Sequence, residues 1–166
     1  MLYVIVPSSE GWGDWKELAQ KAKLVVAREQ QVLGDMLLSL NPCGKMEEER
    51  FEIYDPLISC EPATLFFDWW GKKVGHKTLH PLPALAALAA WEGDTPTKYW
   101  NLASPHLLGD GKGGNFILCI CGDVNGVYPM NRLRFLSTTE HVYRPAFFVG
   151  LESESTDRQF KTKRLN

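Results

Sequence analysis

The feature that most limits the possible folds is a run of apolar residues at helical spacing between residues 14 and 40. Charged and amide side chains fill the positions between them, so the pattern is that of an amphipathic helix. Asp14 and Glu17 have the spacing of a capping box, and Asn41-Pro42 ends the pattern. The sequence therefore predicts one helix about 40 Å long, enough to cross a small domain. Its apolar members are Trp15, Leu18, Ala22, Val25, Val26, Leu33, Met36, Leu37 and Leu40.

Strand patterns lie towards both ends of the chain. Residues 2–6, LYVIV, form an apolar β-prone run, and three further strands are expected at 115–122, 126–136 and 142–150. Because the last three are close in sequence and joined by turns, we expect them to form an antiparallel meander. The sheet as a whole is predicted to be antiparallel or mixed.

One or two shorter helices are expected between these groups of strands. Pro81 or Pro83 suits the first turn of a helix with the body ALAALAAWE, and Thr95-Pro96 can begin another. Strands at both ends with helices between them indicate an α+β domain whose sheet is covered by the long N-terminal helix. The length of 166 residues suits one domain, expected at 1–151, followed by a polar tail at 152–166.

A glycine-rich stretch, GDGKGGN, precedes the strand expected at 115–122. Gly109, Gly111 and Gly114 match the letters of a dinucleotide-binding G-x-G-x-x-G pattern. Phosphate-binding loops, however, open a helix whose amides face the phosphate, whereas the residues that follow here, FILCIC, have a strand pattern. We therefore predict a loop whose glycines adopt positive φ, and not a nucleotide site.

Two cysteines of that strand, Cys119 and Cys121, are two residues apart and must point to the same face. His76 and His80 could supply the other half of a Cys₂His₂ zinc site, but Pro81 is unfavourable to a helix there. Cysteine is also among the residue types most often buried in ordinary cores. We therefore expect two core thiols, with no metal and no cofactor.

Asn125-Gly126 follows the cysteine pair and precedes another strand pattern. This dipeptide is the strongest short signal for a two-residue β-hairpin turn, because a type I′ turn needs positive φ at both central residues. The sequence predicts a tight hairpin at this point.

The evidence for an enzyme is weak. His76 lies in HKTL, which matches the H-x-[ST]-h element that two-histidine phosphoesterases contain twice, but neither His106 nor His141 makes the second copy. The serine elbow G-x-S-x-G and the zinc motif H-E-x-x-H do not occur in the sequence. A small phosphodiester or nucleotide hydrolase using these histidines as acid and base, with an arginine as anion clamp, is kept as one alternative.

A basic face is a further candidate binding surface. Arg132 and Arg134 alternate in NRLRF and so share one face of a strand. Residues 128–166 contain seven Lys and Arg against four Asp and Glu, although the whole chain has a net charge of −2. A nucleic-acid-binding module using this basic third is a second alternative, while the overall charge does not favour it. The simpler interpretation is a solvated sheet face.

The aromatic content leads to the main hypothesis. The chain has six tryptophans, and the adjacent Trp69 and Trp70 would point to opposite faces of a strand. One of them would be exposed unless both sheet faces are covered, and exposed indoles often mark partner surfaces. A large aromatic core is an equal alternative. We expect a small binding or accessory domain that acts through protein–protein interaction, with itself or another protein.

The N-terminus lacks the basic region of a signal peptide, and no apolar run reaches the length of a membrane span. Four cysteines without a secretion signal favour reduced thiols. The expected location is the cytoplasm, without membrane attachment.

Overall fold

The computed structural model describes residues 2–54, 60–62, 77–78, 80–91, 101–121, 131–143 and 145–150. Three helices lie in these ranges: α1 (Trp15–Lys21), α2 (Arg28–Leu40) and α3 (Pro81–Ala89). The strands are β1 (Leu2–Val6), β2 (Glu49–Tyr54), β3 (Cys60–Pro62), β4 (Lys77–Thr78), β5 (Asn101–Gly109), β6 (Asn115–Cys121), β7 (Arg132–Ser137), β8 (His141–Tyr143) and β9 (Pro145–Gly150).

Most of the strands belong to one mixed sheet with the order β1-β2-β9-β5-β6-β7, and β4 pairs with β9. Every pair in this sheet is antiparallel except β5 with β9, which are parallel. Strands β3 and β8 form a separate antiparallel pair. The predicted α+β class with an antiparallel or mixed sheet is confirmed.

The C-terminal strands follow only part of the expected meander. β5, β6 and β7 are consecutive antiparallel neighbours, but the strand expected at 142–150 divides into β8 and β9. β9 does not continue beside β7; it returns to lie between β2 and β5. Its sequence, PAFFVG, is an unbroken apolar run of the kind typical of central strands.

The predicted single helix over 14–40 is wrong. α1 ends at Lys21, Lys23 takes a positive φ of 59°, and the chain runs extended through Val25 before α2 begins. The Val25 N–H donates to Asn131 O at 2.8 Å, and the Val25 carbonyl accepts the Leu133 N–H at 2.9 Å. These bonds satisfy the outer edge of β7, so a tertiary contact overrides the helical pattern.

Both ends of the predicted helix are nevertheless where the sequence places them. Asp14 is the N-cap of α1, and its Oδ1 accepts the Glu17 N–H at 2.9 Å. Asn41 is the C-cap of α2. The capping and stop signals are local, which is why they survive the break between the helices.

The core between the helices and the sheet contains a close approach at Gly34 of α2. The rings of Trp15 and Phe135 meet edge to face, with centroids 5.8 Å apart. A Cβ on Gly34 would lie 2.7 Å from Phe135 Cε2 and from Trp15 Cζ2. Trp15 Nε1 also donates to Asp35 Oδ1 at 2.9 Å, so α1 is bonded to α2 beside this contact.

Several sequence predictions fall on residues outside the described ranges. They are the Asn125-Gly126 turn, the short helix after Thr95-Pro96 and the tail at 152–166. Among the described helices, none combines the length and the apolar character needed to cross a membrane.

The contact at Gly34 gives the first prediction. Gly34→Ala should lower the free energy of unfolding by up to about 2 kcal/mol. Overpacking of the two rings by the methyl group costs about 1–3 kcal/mol, and the better helix propensity of alanine offsets about 1 kcal/mol of that cost. Ser39→Ala, at an exposed position of the same helix, is the control and should be neutral or slightly stabilising. Urea denaturation measures both, and a Gly34→Ala protein stabilised by the roughly 1 kcal/mol that helix propensity alone predicts would contradict this packing.

Candidate functional site

Two thiols and two guanidinium groups share one face of the β6–β7 pair. Cys119 lies opposite Arg134, and Cys121 lies opposite Arg132. Residues directly opposite in an antiparallel pair have Cβ atoms about 4.5–5.5 Å apart. The other face of these strands packs into the core through Leu118, Ile120, Leu133 and Phe135. Strand alternation thus brings together the cysteine face and the arginine face that the sequence predicted separately.

The exposure of these four side chains differs along the face. Cys119 is fully buried, Cys121 is partly exposed, and both arginines are exposed. Neither cysteine is in a disulfide. The expectation of a core thiol therefore fits Cys119, whereas Cys121 lies at the margin of the core, within reach of solvent.

The electrostatic environment shifts the pKa values of the two thiols in opposite directions. A hydrogen bond from Cys119, helped by the charges of Arg134 and Arg132, lowers the pKa of Cys121 to about 7, against the opposing effects of burial and Glu140. The same hydrogen bond and complete burial raise the pKa of Cys119 well above its usual value. Cys119 therefore keeps its proton and donates it towards Cys121, which carries thiolate character near neutral pH.

Glu140 moderates this positive environment. Its Oε1 is 3.9 Å from Arg134 Nη2, and its Oε2 accepts the Ser137 N–H at 2.8 Å. The carboxylate is thus fixed by the turn between β7 and β8 and competes with the thiolate for Arg134. The ion pair is exposed, so it contributes little to stability and mainly sets the local charge.

An open cleft of about 300 Å³ adjoins the arginines at the edge of β7. Its lining combines Arg132 and Arg134 with Glu29 and Gln30 of α2. The cleft is large enough for a small polar group, and its charge is mixed. Its remaining lining residues are Val25, Ala27 and Leu133.

The glycine-rich loop joins β5 to β6, and its backbone N–H groups are hydrogen-bonded to the side chain of Asp110 in the same loop. Asp110 Oδ1 accepts the N–H of Lys112 at 2.7 Å and that of Gly114 at 3.0 Å. Gly111 and Gly113 have positive φ, which confirms the predicted loop conformation. Because Asp110 occupies amides that would face a phosphate, this geometry does not provide a nucleotide site.

His80 lies between His106 and Asn41, in a cluster here called the histidine junction. The ring centroids of His80 and His106 are 5.1 Å apart. His80 Nδ1 accepts the Leu82 N–H at 3.1 Å as the N-cap of α3, so Nε2 carries the proton and donates to Asn41 O at 2.8 Å. The Asn41 side chain bonds both backbone groups of Gly109. Three element ends are joined here, and both ring nitrogens of His80, weighed above as a zinc ligand, are engaged by backbone.

Burial lowers the pKa of both histidines, and for His80 the neighbouring His106 lowers it further. Each ring is therefore neutral at pH 7. Within the residues that the structure describes, no three His, Cys, Asp or Glu side chains converge into a metal site. The junction is explained by its structural bonds and does not require an acid–base role.

The remaining candidates from the sequence are placed as follows. Arg132 and Arg134 are exposed on one face of β7, as the alternation predicted, while their binding role stays a prediction. His141 is exposed at the start of β8 and is not part of the His80–His106 junction. Trp69, Trp70 and His76 lie outside the described residues.

The sequence interpretation missed an exposed row on α2, here called the apolar ridge: Val32, Met36 and Leu40. Their side chains are 67%, 38% and 53% exposed. Met36 and Leu40 were expected on the buried face. They lie outside it because α2 buries the side centred on Gly34 and Leu37, and this orientation follows from the break before Arg28.

The histidine junction predicts a pH dependence of stability. Because the folded-state pKa values of His80 and His106 are depressed, the unfolded chain takes up protons first as the pH falls below about 6.5. The stabilising contribution is complete above that pH and decreases below it. Urea denaturation should therefore give a smaller free energy of unfolding at about pH 5.5 than at about pH 7.5.

The double variant His80→Asn, His106→Gln should show a weaker dependence of stability on pH. The control is His141→Gln, at an exposed position, and it should show the same dependence as the parent. An unchanged dependence in the double variant would refute the assignment.

The environment of the thiol pair predicts that substitutions around Cys121 shift its pKa in opposite directions. In a Cys43→Ser, Cys60→Ser background, thiolate absorbance should give a midpoint near the pKa of about 7 for Cys121. Cys119→Ala and Arg134→Gln should raise that pKa, since each removes a group that stabilises the thiolate. Glu140→Gln should lower it, since it removes a competing negative charge. A midpoint that does not respond to these changes would disprove the described coupling.

Comparisons with known proteins supply no assignment for this geometry. The chain matched no protein-family model, no curated protein and no solved structure. Any function must therefore be argued from the side chains of the described residues, and two features are used for this: the thiol–arginine face and the apolar ridge.

Proposed function

We propose that this protein is a small binding domain that acts through protein–protein contact, with the apolar ridge of α2 as its contact surface. The observation that carries the proposal is the row of Val32, Met36 and Leu40, spaced four residues apart and all exposed. Such residues lie one above another on a helix. Single exposed apolar side chains are ordinary, but a continuous row over two turns has the form of a helix-packing surface.

The ridge is held on a rigid support. Below it, Gly34 packs against Trp15 and Phe135, and Asp35 accepts the Trp15 indole N–H. At its end, the Asn41 Nδ2 donates to Leu37 O and to Gly109 O, each at 2.8 Å. A surface held in this way loses little conformational freedom on association, which favours binding.

The occupant we assign to the ridge is α2 of a second copy in antiparallel orientation. About a two-fold axis at Met36, the smaller Val32 of one copy lies opposite the larger Leu40 of the other, which matches volumes. Arg28 continues the same row at the N-terminal end and would face the carboxyl end of the partner helix, where its charge is favourable. The ridge alone is small for a stable dimer, so we expect a dissociation constant in about the micromolar range or weaker.

The two alternatives from the sequence have less support. For the hydrolase, His76 lies outside the described residues, and both ring nitrogens of His80, which adjoins His106, are already bonded to backbone. The nucleic-acid module would need a continuous basic face, whereas Glu29 lines the same cleft as Arg132 and Arg134.

The proposal predicts concentration-dependent dimerisation that depends on the ridge. Met36→Lys should abolish the dimer in sedimentation velocity, because an antiparallel pair would bring two like charges together. The free energy of unfolding of the Met36→Lys protein should stay within about 0.5 kcal/mol of that of the parent, as for other surface substitutions.

The matched control is Ser39→Lys, which adds the same charge at another exposed position of α2 and should leave the dimer intact. A parent protein that remains monomeric up to its solubility limit would overturn the assignment to a second copy. Equal loss of association in both variants would indicate a non-specific charge effect and would also count against the ridge.

A further inference from the structure

Cys121 combines features that an ordinary strand cysteine does not have. It is partly exposed, it lies directly opposite Arg132, and it is one cross-strand pair away from Arg134. A second thiol, that of Cys119, is buried two residues earlier on the same face of β6. The ridge of α2 does not use these residues, so they are open to a separate interpretation.

We propose that Cys121 is a site of reversible mixed-disulfide formation with small disulfides that carry carboxylate groups, of which glutathione disulfide is the representative. In the forward step the Cys121 thiolate sulfur attacks one sulfur of the disulfide. The disulfide bond of the reagent breaks as the new Cys121–glutathione bond forms. The departing glutathione thiolate takes a proton from water. Cys121 is thereby oxidised and one glutathione is reduced, with no other oxidant required.

The arginines supply the selectivity for a carboxylate-bearing reagent. A guanidinium group binds a carboxylate through two parallel hydrogen bonds, which a lysine does less well. Arg132 lies directly opposite the attacking residue and Arg134 one cross-strand pair away. The cleft of about 300 Å³ that the two arginines also line, at the outer edge of β7, has room for a carboxylate group of the reagent. Glu140 and Glu29 carry the opposing charges at this place, so the preference for anions depends on the two arginines.

The reactivity of Cys121 agrees with this placement. Thiol–disulfide exchange is fastest when the attacking thiol has a pKa near the ambient pH, and the pKa of Cys121 is about 7. Among the described residues, the ionisable groups that act on it are Cys119 on its own strand, Arg132 and Arg134 on β7, and Glu140 in the turn that follows.

Cys119 is not placed to resolve the mixed disulfide. Side chains two residues apart on a strand project to the same face in parallel, so their Cβ atoms are also about 6.6 Å apart, whereas the Cβ atoms of a disulfide are about 3.5–4.5 Å apart. β6 is hydrogen-bonded to β5 on one side and to β7 on the other, which prevents the strand from contracting. The raised pKa of Cys119 also keeps it protonated. The adduct therefore persists until an external thiol removes it.

The test uses the reduced full chain treated with glutathione disulfide, and in parallel with the cationic disulfide cystamine. Intact mass and peptide mapping should show one glutathione, on Cys121, which dithiothreitol removes. Cys43, partly exposed and outside the strands, is the internal comparison and should react more slowly. The combined Arg132→Gln, Arg134→Gln variant should react about tenfold more slowly with glutathione disulfide but not with cystamine.

The control for charge removal is Lys112→Gln in the loop that precedes β6, at the end of the strand away from Cys121, and it should leave both rates unchanged. Modification of Cys43 or Cys60 in preference to Cys121 would overturn the proposal, as would a Cys119–Cys121 disulfide as the product. An arginine variant that keeps the parent ratio of the two rates would equally refute it. The mapping is done on the unmodified sequence, so the outcome does not depend on a cysteine variant that folds.

Discussion

The close approach of α2 to β7 at Gly34 is the contact on which the rest of the structure depends. Because Gly34 has no side chain, the backbone of α2 can approach the rings of Trp15 and Phe135 closely. From there Gln30 Oε1 accepts the Phe135 N–H at 2.7 Å, and the segment before the helix bonds the β7 backbone around Leu133. A single small residue therefore fixes the distance between layers and also allows the outer edge of β7 to be hydrogen-bonded.

Local signals in the sequence were sufficient for several of these features. The Asp14 cap, the end of α2 at Asn41 and the positive φ values in the glycine-rich loop each depend on residues only a few positions apart. The alternation that places Arg132 and Arg134 on one exposed face is likewise local. Such features are encoded by backbone preferences and side-chain capping, so one sequence is enough to predict them.

Features that depend on distant partners could not be predicted in the same way. The helix ends at Lys21 because Val25 forms hydrogen bonds with Asn131 and Leu133, more than 100 residues later in the chain. The candidate site depends on the register that sets Cys121 opposite Arg132. The alternation of apolar residues fixes which face each side chain takes, but not which residue lies opposite it on the next strand. The sequence thus indicated two thiols and two arginines, while their common environment follows only from strand pairing.

The position of β9 has a consequence for how the sheet can form. Among the described strands, β9 is the link between the β1–β2 pair and the β5–β6–β7 group, although it is the most C-terminal of them. Until residues 145–150 are in place, these two parts of the sheet have no strand in common. Pairing of β9 with β2 also closes a loop of about ninety residues, and such long-range closure slows folding. During synthesis, the β1–β2 pair and the β5–β6–β7 group would emerge from the ribosome separately and would become one cooperative unit only after β9 had left the exit tunnel.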